Sequence, residues 1–170
     1  MIILKKSVVL SLFILIVSVI FSSCGERIFT KEFLPEKSFS LHMKAEKSDK
    51  CFEADITCLN SEDIKLAFTF PKELSGFSVQ TGGDGYKVNV FGLQDEVTGE
   101  EINNASLLNV LIKTIQISVF TNHGLFTETE NGCTASITVD GIPVTVSFTK
   151  DGFLQEMICE TLNFSAQFEK

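Results

Sequence analysis

The sequence predicts an α+β protein, mostly antiparallel β: a curved sheet or half-barrel of about ten strands, in two meanders, packed on one main helix. Three observations predict it. Apolar residues alternate with polar ones through most of residues 38–170. One stretch switches from period two to a spacing of three and four. Asp-Gly pairs, strong signals for two-residue hairpin turns, punctuate the last third.

The elements follow in order. Phe39, Leu41 and Met43 alternate with Ser40, His42 and Lys44. Phe52, Ala54, Ile56 and Cys58 alternate with Glu53, Asp55 and Thr57, and Ile64, Leu66, Phe68 and Phe70 with Lys65, Ala67 and Thr69. Such strands bury one face in an antiparallel sheet. Lys47 to Lys50 and Asn60 to Glu62 are short polar turns. Residues 77–81 and 86–91 flank Gly82-Gly83-Asp84-Gly85, a glycine-rich hairpin loop. Ile102, Ala105, Leu108, Ile112, Ile115 and Val119 mark one face of a helix near 99–119, and Thr98 with Glu101 forms a capping box that starts it.

Asp140-Gly141 as a type I′ turn pairs Val139 with Ile142, Ile137 with Val144, Ala135 with Val146 and Cys133 with Phe148. Asp151-Gly152 read the same way pairs Val146 with Met157 and Val144 with Cys159, and leaves Gln155 misplaced against Phe148. For Asn131-Gly132 a three-residue loop pairing Leu125 with Ile137 fits the alternation best. Leu162, Phe164, Ala166 and Phe168 make the last strand.

The first 23 residues belong to a different object. Lys5-Lys6 precede an apolar run from Val8 to Phe21, interrupted only by Ser11 and Ser18. That is a secretory signal, shorter than the roughly 20 residues a bilayer span requires. Ser22-Ser23-Cys24 resembles the bacterial lipobox, with Phe21 where leucine is commonest. The resemblance implies that Cys24 is lipidated, as with palmitate and a diacylglyceryl group, and becomes the N-terminus. Two chains anchor where one binds only marginally. The expected location is extracytoplasmic, on the bacterial cell membrane, or the outer membrane if the cell has one. Residues 24–37 then form the lipidated end and a tether, whose Ile28, Phe29, Phe33 and Leu34 dock on the domain or graze the membrane. Residues 38–170 form a single β-rich domain.

Charge narrows the partners. The net charge of -8 becomes -10 once Lys5 and Lys6 leave with the signal. No basic stretch balances it, so nucleic acid is not an expected partner. Protein partners are not specified by any feature. No cofactor or metal motif stands out, and no Cys-x-x-Cys spacing exists.

Cys51 and Cys58 lie on one strand, roughly 23 Å apart at the usual rise. Cys133 and Cys159 lie two strands apart, at least ~9.5 Å, beyond the ~7 Å a disulfide allows. Free buried thiols at Cys58, Cys133 and Cys159 are expected. A single bridge from Cys58 to Cys133 or Cys159 stays open.

Catalytic parts are few. His42 on a polar strand face and His123 in a loop are the candidate bases. Neither has a nucleophile at a recognisable spacing, and no Gly-x-Ser-x-Gly elbow occurs. Asp95-Glu96 and Glu100-Glu101 read as favourable charge at a helix start. The expectation is a non-enzymatic protein. The 16 phenylalanines against one tyrosine and no tryptophan are the compositional oddity. Phenylalanine has no polar handle, so these rings belong against core, lipid or ligand.

A lipobox, strands, one mid-chain helix and a hairpin-rich sheet together resemble the LolA/LprG-like carriers of lipoproteins and lipids. The resemblance implies a half-barrel that shelters a hydrophobic ligand such as lipid acyl chains. Phe68, Phe70, Leu108, Ile112, Ile115, Val146, Phe148 and Met157 are the candidates to line that cavity. A surface binding or structural module with a solid core and no ligand cavity is the alternative. No helix of carrier length precedes the first strand here.

Overall fold

The computed structural model describes residues 33–82, 85–98, 106–121 and 126–170. Cys24, His123 and the capping partner Glu101 lie outside the described residues. Eleven antiparallel strands form one open sheet: β1 (Phe39–Lys47), β2 (Lys50–Asn60), β3 (Asp63–Phe70), β4 (Phe77–Gly82), β5 (Gly85–Val90), β6 (Leu93–Thr98), β7 (Phe126–Thr129), β8 (Gly132–Val139), β9 (Ile142–Thr149), β10 (Leu154–Cys159) and β11 (Phe164–Glu169). Their order across the sheet is β6-β5-β4-β3-β2-β1-β11-β10-β9-β8-β7. Two meanders of local hairpins are thus joined by one long-range seam, β1 against β11.

Each strand buries one face. Phe39, Leu41, Met43 and Ala45 of β1, Ala54, Ile56 and Cys58 of β2, and Phe164, Ala166 and Phe168 of β11 share the inner face and the core. Cys58, Cys133 and Cys159 are buried free thiols there, and Cys51 is exposed on the other face. Burial pushes Cys58 up to about 11, with help from the Asp63 charge, and Cys133 up to about 12. Both stay protonated and act as small apolar groups.

The Asp140-Gly141 turn holds as expected. Both residues have positive φ (49° and 84°), and the pairs run from Val139↔Ile142 to Cys133↔Phe148. Three other expectations need correcting. The β9–β10 loop is longer than two residues: Gly152 N–H bonds to Thr149 O, and Thr149 N–H to Phe153 O. A bulge then sets Leu154 opposite Phe148 and Glu156 opposite Ser147. Gln155 is the extra residue, which turns it out to solvent and puts Leu154 in the core. At the β7–β8 hairpin the pairs are Phe126↔Ala135 to Thr129↔Gly132, so Glu130-Asn131 is the turn. Gly132 is a strand residue, needed because a Cβ there would collide with the Phe148 carbonyl oxygen.

The third correction is an added strand. Phe91-Gly92 makes a turn with positive φ at both residues (50° and 89°), and β6 pairs with β5 along its whole length. Thr98 therefore ends a strand rather than capping a helix, and Asp95 and Glu96 lie on that strand. The described helix starts later. In α1 (Leu107–Ile115), Ser106 is the N-cap and accepts from Asn109 N–H. A π-helical turn, Gln116–Phe120, continues it.

The tether docks. Phe33 packs on Phe126 (5.0 Å between ring centres) and Phe148 (5.7 Å), and Glu36 N–H bonds to Gly152 O at 2.8 Å. Leu34 stays exposed.

Gly132 and Gly141 separate close approach from backbone freedom. Gly141→Ala meets open space and carries only a positive-φ penalty of about 1 kcal/mol. Gly132→Ala must move the β9 backbone and is expected to cost at least about 2 kcal/mol more. Urea midpoints of the two variants check this order.

Candidate functional site

The helical segment lies in the curl of the sheet and turns an apolar stripe toward it, as an amphipathic helix does. Val110, Leu111, Ile112, Ile115 and Val119 are at most 2% exposed. Three of its polar side chains, Asn109, Lys113 and Gln116, are tied to the sheet or its turns. Tyr86 of β5 gives its O–H to Asn109 Oδ1 (3.0 Å), Asn109 Nδ2 donates to Asp140 Oδ2 (3.0 Å), and Lys113 Nζ bonds the same oxygen at 2.7 Å. Gln116 Nε2 donates to Ser61 O at 2.8 Å. Burial raises the Tyr86 phenol, with the Asp140 charge adding to it, so the group remains a donor. Lys113, then Asn109, hold Asp140 below the usual carboxylate range. Asn109 thus joins the second strand of the sheet to the turn between its ninth and tenth, which requires the sheet to curl around α1.

The eight cavity candidates separate into three groups. Ile112, Ile115, Val146, Phe148 and Met157 are 0–1% exposed. A void wide enough for water would register as exposure on its walls, so these five are solid core. Phe68 and Leu108 are half-buried on the inner side. Phe70 is on the other face. A bulge sets Ala54 opposite Phe68 but Glu53 opposite Phe70, so Thr69 is extra and Phe70 turns outward beside Glu53. It is 49% exposed.

What the structure brings together instead is a row of inner-face apolar side chains, one from each successive strand. Phe164 of β11 stacks on Phe52 of β2 (6.2 Å) across the small Ala45 of β1. Phe52 meets Phe68 (6.0 Å), Phe68 meets Phe77 (5.4 Å), Phe77 pairs with Val90 and Val90 with Leu93. Exposure rises along it, from 3% at Phe164 through half-buried Phe52, Phe68 and Phe77 to 40% at Val90 and 78% at Leu93. Sequence reading identified Phe68 alone as a member of the site. Period two reveals which residues share a face, but the row needs every register across seven strands.

A separate hollow of about 350 Å³ lies at the β4–β5–β6 hairpins, lined by Gly82, Gly85, Tyr86, Lys87, Glu96, Val97 and Thr98. It contains none of the eight candidates. Among the described residues no group of three His, Cys, Asp or Glu side chains is placed to hold a metal ion. His42 lies on the outer face with both ring nitrogens engaged, Nδ1 with Asp55 (2.8 Å) and Nε2 with Glu53 (3.4 Å). The Asp55 hydrogen bond, reinforced by Glu53, raises its pKa despite partial desolvation.

No protein-family model matches the chain, and no curated protein matches it. Among solved structures it is similar to a LolA superfamily protein from Nitrosomonas europaea, at 11% sequence identity and a TM-score of 0.40. The match covers 73% of this chain and 64% of that one, so the chain spans less than two thirds of that protein's length. A likeness this slight says nothing about ligand or partner.

Two ion-pair groups give opposite pH signatures. His42 is raised when folded, so its stabilisation is full below about 6.5, the unfolded value, and fades as pH rises through the folded value. Asp140 is lowered, so its stabilisation is present above about 3.9 and is lost as pH falls through the folded value. His42→Asn is expected to flatten the alkaline side of the stability–pH curve, and Asp140→Asn the acid side. Thermal melts between pH 3 and 9 read both, and a parallel shift of the whole curve in either variant contradicts the assignment.

Proposed function

We propose that this chain is a lipid-anchored lipoprotein of the bacterial cell envelope that binds an apolar ligand, with lipid acyl chains as the class, and catalyses no reaction. The observation that carries the ligand reading is the graded row Phe52, Phe68, Phe77, Val90 and Leu93. An acyl chain laid along it would cover half-exposed rings at about 0.8 kcal/mol per buried methylene. The row has no charged member and so offers no specific polar recognition, which suits a chain rather than a headgroup. The resemblance of Ser22-Ser23-Cys24 to a lipobox supports the anchor, and the strand–helix–strand resemblance to LolA/LprG-like carriers supports the ligand class.

A second reading is favoured by Ile112, Ile115, Val146, Phe148 and Met157. These residues are fully packed, as in a binding module with a solid core. The two readings differ in whether anything occupies the row.

The test uses the full chain expressed in a bacterium and purified in detergent. Intact mass is expected to show loss of residues 1–23 and added acyl groups, both absent in Cys24→Ser. A fluorescent fatty acid is expected to bind, and Phe68→Glu to weaken it by roughly tenfold, the equivalent of about 1.4 kcal/mol. Binding that is absent, or that ignores Phe68→Glu, returns the protein to the solid-core reading.

A further inference from the structure

Strand β6 ends the sheet on one side, and its exposed character differs from that of the other edge. β7 at the far side has four residues, and a short strand is one of the ways proteins blunt an edge. β6 has six, pairs with β5 without a register shift, and contains neither proline nor lysine. All of its residues but Val97 are exposed. Antiparallel pairing alternates which residues bond their neighbour. Val90↔Leu93 closes the two-residue turn, so Leu93, Asp95 and Val97 direct their backbone groups at β5, and Gln94 and Glu96 direct theirs outward.

The inner face of β6 reads Leu93, Asp95, Val97. Asp95 lies opposite Val88 and has no cationic partner among the described residues. Its carboxylate instead accepts the Glu96 N–H at 2.9 Å, which places the negative charge at the open edge. Lys87 on the other face pairs with Glu96 at 3.8 Å.

We infer that β6 is the docking edge for an extended segment of a partner protein that carries a lysine or arginine between two apolar residues on one face. Such a segment adds a twelfth strand. Its backbone meets the outward groups of Gln94 and Glu96, its apolar residues meet Leu93 and Val97, and its cation draws Asp95 off the Glu96 N–H. A second copy of this chain fits poorly. The antiparallel register that sets Leu93 against Val97 sets Asp95 against Asp95 and Gln94 against Glu96, and like charges directly opposite are destabilising. A bilayer fits poorly as well, because open backbone groups and two acids would lose water without gaining partners. The inference stands on edge geometry and charge, and does not depend on an apolar ligand.

The test titrates the full chain against two labelled octapeptides and reads fluorescence anisotropy. One has isoleucine, lysine and valine at alternate positions with threonine between them; the other replaces lysine by glutamate. The lysine peptide is expected to bind, and the glutamate peptide to bind about tenfold more weakly. Asp95→Lys is expected to reverse that preference. Gln94→Pro removes an outward N–H without touching the β5 pairing, and is expected to abolish binding of both. The inference is overturned if neither peptide binds, if Asp95→Lys leaves the preference unchanged, or if the chain instead forms a dimer that Gln94→Pro dissolves.

Discussion

Among the described residues one α-helical segment, continued by a π-helical turn, lies against the apolar face of an eleven-stranded sheet, and it is much shorter than that face is wide. Nine α-helical residues and five π-helical ones span about 21 Å at the usual rise, whereas ten strand spacings measure roughly 48 Å. Curling the sheet around the helix is the available compromise, and the Tyr86–Asn109–Asp140–Lys113 connections show how far the curl goes. They join β5 to the β8–β9 turn through one asparagine. Where the helix lies, the inner face is packed solid. Where it does not reach, aromatic side chains cover one another in a row and the cover thins toward β6.

That division places polar chemistry where the fold is most apolar. Asn109, Lys113 and Gln116 would each be costly in the curl without partners, and each has one on the sheet. Ser118 Oγ donates a hydrogen bond to Thr114 O within the helix. Thr114 Oγ1 is buried without a described partner, the one lapse in an otherwise satisfied helix. The connections set the position of the helix along the sheet, since apolar contacts alone would let it slide.

Much of this was legible in the residues. Asp140-Gly141 fixes a turn type and a loop length together, so every pair from Val139 to Cys133 follows from two residues. Alternation through β1, β2 and β11 predicts their buried faces residue by residue. Two of the failures share a cause: a bulge changes face without changing composition. Gln155 and Thr69 are extra residues with no local signature, and one of them turned Phe70 to the outer side. Glycine misled at Gly132 because a turn and a close backbone approach both call for the same missing Cβ. β6 was hidden behind a plausible capping pair at Thr98 and Glu101, although Phe91-Gly92 has the glycine that a two-residue turn favours. The aromatic row was beyond reach for a different reason, since it exists only after six strand registers are known.

The seam between β1 and β11 also has a topological meaning. His42 pairs with Glu169, and Lys44 reaches the Glu169 carboxylate at 2.8 Å. The two ends of the sheet-forming chain are therefore neighbours, about three residues out of step. Written from β7 through β11 and on into β1 through β6, the chain order and the sheet order become identical. The strand topology is that of a circularly permuted eleven-stranded meander, with the segment that holds the helix linking the meander's two outer edges. A few residues connecting Lys170 to Ser38, with new termini opened on either side of α1, would turn that link into a detachable peptide and leave every strand pairing local.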